Sequence, residues 1–97
     1  MMTDGRADLG DLRAEIDRID GEIAELAAER ARLAERVAAV KAREGTDLAD
    51  EGREETVVSR YESTFRHHDA GGGNGRELAR LLIGISLRRE REIASGQ

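Results

Sequence analysis

Two cations in this chain stand where their neighbours' pattern does not call for them. Arg30 falls on a position that the surrounding apolar residues would assign to leucine. Lys41, the one lysine among 16 basic residues, follows eleven positions later. If both lie on one helix, eleven residues turn through about 1100°, which is three turns and roughly 20°. The two then share a face, about 16 Å apart along the axis. Both side chains are long enough to reach one small ligand between them, and that ligand would be an anion. Two plainer readings stand beside this one. Arg30 could be a register device paired with a glutamate of a neighbouring helix, since a buried unpaired cation is costly. Lys41 could complement the C-terminal dipole of its helix.

Other groups carry similar signals. In ADEGRE, residues 49–54, Asp50 suits a helix N-cap and puts Arg53 and Glu54 in the first turn. Glutamate is at home there, whereas arginine opposes the helix dipole, so Arg53 hints at a ligand. Leu78, Leu82, Ser86 and Glu90 are spaced by four and form a stripe that begins apolar and ends polar. Such a stripe either enters a polar pocket or marks a helix end emerging into solvent. Arg13 lies 17 residues before Arg30, roughly 25 Å away along a helix. It cannot serve the same site in the same chain. It could do so across an antiparallel dimer, or pair with Asp17 on its own surface. His67 and His68 have no partner at metal-ligand spacing and read as solvated loop residues. With no cysteine there is neither a disulfide framework nor a thiolate metal site, and no metal or cofactor is expected.

The elements that must position these groups follow from periodicity. Leu9, Leu12, Ile16, Ile19, Ile23, Leu26, position 30, Leu33, Val37 and Val40 alternate spacings of three and four without a break. That is a heptad seam, and it predicts a helix over 9–44, on the order of 50 Å long, stopped by Gly45. The remaining residues cannot cover a helix of that length, so a second copy is expected to. A second helix is predicted over about 51–67, with Val57, Val58, Tyr61 and Phe65 on one face, and a third over about 75–94. Between them DAGGGNG, 69–75, reads as a mobile connector, with Asn74 as a cap. Residues 1–8 are expected to be disordered, and 1–97 to form a single all-α domain with neither strand nor repeat.

Composition agrees with an oligomer. The chain is 38% charged with one Phe, one Tyr and no Trp, so a monomer has little with which to build a core. The net charge of -5 argues against generic nucleic-acid binding, which requires a basic surface. No apolar run approaches a membrane span and no secretory segment is visible, so the expected compartment is the cytoplasm.

In order along the chain, these pieces resemble the all-helical (AroQ-class) chorismate mutases. The family pattern L-R-x-x-I-D-x-I-D is matched by Leu12-Arg13-Ala14-Glu15-Ile16-Asp17-Arg18-Ile19-Asp20. Glu29-Arg30 follows, then Lys41, then Asp50-Glu51-Gly52-Arg53-Glu54 as D-x-x-R-E. The start of the third helix, Asn74-Gly75-Arg76-Glu77-Leu78-Ala79, together with Tyr61, resembles the short actinobacterial members.

The resemblance implies an intertwined helical homodimer that rearranges chorismate to prephenate by a [3,3] shift. It implies that Arg30, and Arg13 from the other subunit, hold the substrate carboxylates. Lys41 faces the ether oxygen, and Glu54 and the backbone near Asp50 hold the hydroxyl, with Arg53 close by. Ser86 bonds near a carboxylate, and Glu90 stands opposite Lys41. Glu90 must be protonated to donate there, and burial can raise its pKa. The sister activities on this fold are isochorismate-pyruvate lyase and 4-amino-4-deoxychorismate mutase. A non-catalytic helical dimer explains the seam but not Arg30 and Lys41. Short actinobacterial members also gain activity when bound to DAHP synthase, which would make the C-terminal helix end and residues 69–75 candidate contacts.

Overall fold

A computed structural model of the chain describes residues 8–46 and 50–95. These form three helices: α1 Leu9–Glu44, α2 Glu51–His67 and α3 Gly72–Ala94. There is no strand among the described residues. Side chains at the ends account for the bounds. The Asp8 carboxylate accepts the Asp11 amide at 2.8 Å, satisfying one of the open donors of the first turn. Residue 8, expected within a disordered N-terminal stretch, is therefore the N-cap of α1; residues 1–7 lie outside the described residues. Gly45 closes α1 at φ 72°, and the Thr46 amide reaches back to the Lys41 carbonyl at 2.9 Å. Of the loop expected over 45–50, residues 47–49 lie outside the described residues. Asp50 caps α2 through the Arg53 amide at 3.0 Å.

The glycine run departs from expectation. α3 begins at Gly72, not at residue 75; its N-cap is Gly71 and not Asn74, whose amide donates to the Ala70 carbonyl at 3.0 Å. The connector shrinks to residues 68–71, with Asp69 left-handed at φ 57° and the Ala70 amide bonded to the Phe65 carbonyl at 2.8 Å. The physical reason is close approach. A Cβ on Gly75 would collide with the Tyr61 carbonyl oxygen, and would sit 2.8 Å from its carbon and 2.9 Å from Phe65 Cδ1. Glycine here lets two helices touch through their backbones.

α3 is the middle element. It packs on both α1 and α2, whose backbones do not come close to each other among the described residues. Arg30 with Ser86 and Lys41 with Glu90 pair in ascending order, so α3 runs parallel to α1. Glu62 with Arg76 and Glu55 with Arg80 pair in descending order, so it runs antiparallel to α2. The core is small: Val57, Val58 and Ala79, with Tyr61 and Ile83 against them. On α1 the buried residues are Ala34 and Ala38. α3 thus seats on an alanine stripe and leaves the heptad seam open. Ile16 stays 54% exposed and Leu26 62%, and every residue of α1 from 9 to 26 is exposed. The molecule measures 57 × 25 × 15 Å. Among the described residues, no helix is long and apolar enough to cross a membrane.

Candidate active site

Where the three helices face one another they frame an open cavity of about 270 Å³. α1 contributes Arg30 and Lys41, α2 contributes Asp50, Arg53 and Glu54, and α3 contributes Ser86 and Glu90. All the substrate-site residues expected from the sequence converge here except Arg13, which lies exposed in the uncovered half of α1. The apolar walls, including Val37, Val57, Ile83 and Leu87, were not anticipated. Their signal was available in part, since Val57 lies one helical turn beyond Arg53 and Leu87 adjoins Ser86.

Among the described residues, Arg30 bonds neutral groups and no glutamate. Its Nη1 donates to Ser86 Oγ at 2.7 Å and to the Leu82 carbonyl at 3.1 Å. Both acceptors are neutral, so these bonds set the guanidinium's orientation without offsetting its charge. Both bonds leave from the same nitrogen, which keeps the rest of the fork for a planar anion. Ser86, accepting from Arg30, retains its own proton to donate. A carboxylate arriving at this point would meet an oriented fork and a hydroxyl together.

Glu90 is buried, with 7% of its surface exposed, so the stripe from Leu78 enters the molecule and does not emerge into solvent. Its Oε1 lies 4.0 Å from Lys41 Nζ, an ionic contact too long for a hydrogen bond. That oxygen has no hydrogen-bond partner among the described residues. Burial raises the pKa of Glu90; Lys41 and Arg30 oppose the rise and Glu54 adds to it. The net shift is upward, so the carboxyl holds its proton at higher pH than an ordinary glutamate. The neighbouring Arg88, Arg89 and Arg91 are exposed, and Glu90 is the residue of this charged run that turns inward.

The site therefore offers an oriented arginine fork and a lysine on one helix. A carboxyl disposed to stay protonated faces the lysine, and a mixed-charge turn closes the third side. This suits a small multiply charged anion whose charge shifts during reaction. Among the described residues Ser86 is bonded to Arg30 and not to a base, so it is not set up as an activated nucleophile. A family model for chorismate mutase type II matches residues 12–91. Comparison with curated proteins and with solved structures gave no significant match. The matched span runs from the first turn of α1 to the last turns of α3 and takes in every residue lining the cavity, and on that ground the chain belongs to the chorismate mutase type II family.

Proposed function

We propose that the chorismate mutase activity supported by this family membership is carried out in the cavity between the three helices. The observation that carries the reading is the convergence of Arg30–Ser86 and Lys41–Glu90 on one space that α2 closes. In the [3,3] shift an ether C–O bond breaks as a C–C bond forms within one molecule, and nothing enters or leaves. The protein must hold a dianion in a compact conformer and stabilise charge growing on the ether oxygen. Arg30, oriented by Ser86, holds one carboxylate. Lys41 donates to the ether oxygen as a compact point charge, and protonated Glu90 donates from the other side. Glu54, with Asp50 and Arg53, receives the ring hydroxyl, which favours chorismate over its isochorismate and amino relatives. The direct test is prephenate formation by purified protein. The three substrates are compared side by side, with and without DAHP synthase, the partner that resemblance to the short actinobacterial members suggests. Turnover of chorismate slower than of either relative would overturn the substrate assignment.

The reading includes an antiparallel homodimer. Residues 9–29 carry seven carboxylates against two arginines, whereas residues 30–44 carry five cations against two carboxylates. Two such helices side by side attract when antiparallel and repel when parallel. That arrangement covers the exposed seam and brings Arg13 of a second copy toward the second substrate carboxylate. Arg13→Ala and Lys41→Ala homodimers are each expected to be nearly inactive. Mixed after unfolding, they should regain about a quarter of wild-type activity, because half the dimers then hold one intact site. No recovery on mixing would place Arg13 outside the partner's site.

Glu90 sets the pH dependence. Because its pKa is raised, the donor form is present at low pH and is lost as pH rises through that raised value. Turnover is expected to fall across that limb, and Glu90→Gln to remove it and stay active toward neutral pH. The stability sign is the same: a carboxyl whose folded pKa lies above its unfolded value destabilises the fold as pH rises. Superimposable pH–rate profiles for the two proteins would exclude Glu90 from the chemistry.

A further inference from the structure

One ion pair at this level of the bundle does not face the cavity. Arg89 Nε donates to Glu35 Oε2 at 2.6 Å, Nη2 contacts the same oxygen, and Nη1 bonds Glu92 at 2.7 Å. All three guanidinium nitrogens are engaged, so the side chain is held from both ends. Glu35 is only 27% exposed. Among the described residues, Arg89–Glu35 and Lys41–Glu90 are the ion pairs that join α1 to α3.

Helical geometry places the two pairs on opposite flanks of one contact. Taking the buried Ala34 as reference, Arg30 and Lys41 lie roughly 20–40° to one side of it and Glu35 about 100° to the other. On α3, Arg89 and Glu90 are likewise about 100° apart. The contact between the flanks is the alanine stripe, whose shallow surface resists sliding or rolling less than interlocked large side chains would. α2 packs on α3 and has no close backbone approach to α1 among the described residues, so it does not set the register. We infer that Glu35 and Arg89 form a register clamp that positions Ser86 and Glu90 of α3 opposite Arg30 and Lys41 of α1. They are positioning residues, acting on the reaction through their neighbours.

The role rests on the proposed reaction, so its test carries a readout independent of turnover: titration of the Glu90 carboxyl by ¹³C NMR in substrate-free protein. Glu90 faces Arg30 and Lys41 of α1 and Glu54 of α2; loss of register changes its relation to the two α1 cations and leaves that to Glu54, since α2 packs on α3. Glu35→Gln and Arg89→Gln are expected to lower kcat by about five- to thirtyfold with KM nearly unchanged, since small misplacements of reacting groups are costly. The Glu90 titration should move further above that of an ordinary carboxylate, because the two cations that oppose the rise draw away while Glu54 stays. Glu92→Gln, which breaks only the bond within α3, should stay within about twofold of wild type. The triple variant E35R/R89E/E92Q rebuilds the clamp with reversed charge and should return kcat to within about threefold. Wild-type titration and turnover in both single variants would overturn the clamp. If a single variant fails to fold, the triple variant decides: a folded triple variant with kcat restored supports the clamp, and one without it overturns it. If wild type does not turn over chorismate, the reaction assignment falls, and the Glu90 titrations still decide whether the clamp exists.

Discussion

Replacing Lys41 with alanine is expected to lower kcat by about a hundred- to a thousandfold and to leave the protein folded. The magnitude is that of removing one preorganised donor from a developing oxyanion. Folding should survive because of what Lys41 faces. Glu90 would lose its nearest cation, but burial already raises its pKa, and with Lys41 gone it protonates more readily, so no uncompensated charge is left inside. Lys41→Arg separates charge from shape. A planar fork cannot place a single donor where the ammonium stood, so it should restore only a small part of the activity. Circular dichroism and sedimentation report folding and assembly, and single-turnover rates report the chemistry. Wild-type kcat in Lys41→Ala would remove the electrostatic mechanism proposed here.

The convergence on Lys41 was legible in the sequence because a helix is a ruler. The eleven-residue offset from Arg30 and the four-residue steps from Leu78 to Glu90 convert directly into faces, and the caps at Asp50 and Gly45 set where each ruler begins and ends. Other features were not legible, each for a definite reason. Alanine is neutral in an apolar-polar pattern, so Ala34 and Ala38 gave no sign that α3 would seat on them in place of the leucine-rich seam. Glu35 and Arg89 are separated by more than half the chain, and charges are too common here for one such pair to stand out. The glycines of 71–75 are ambiguous in sequence because glycine serves two ends, freedom of the backbone and absence of a side chain, and only a neighbouring helix decides between them.

That second use of glycine yields the largest expected effect on stability. Gly75→Ala should destabilise the fold by about 2–4 kcal/mol, beyond the usual range for one added methyl at its upper end. The obstruction is the Tyr61 carbonyl, which is backbone in the interior of α2, and the Phe65 ring closes the other side. No rotamer change relieves it, so α2 and α3 must separate along their contact. Intrinsic propensity points the other way, since alanine is better than glycine in a helix by about 1 kcal/mol. Gly21→Ala is the matched control: it lies in α1, away from the seam, and an added Cβ meets nothing within 4 Å. It should raise stability by about 0.5–1 kcal/mol, so the two variants differ in sign although the chemical change is the same. Separation of α2 should also reach the site selectively. Arg30, Lys41, Ser86 and Glu90 belong to the α1–α3 pair and keep their relation, whereas Asp50, Arg53 and Glu54 move with α2. Gly75→Ala should therefore raise KM more than it lowers kcat, assayed well below its melting temperature. Equal stabilisation by both substitutions in thermal unfolding would mean that α2 and α3 do not meet at Gly75.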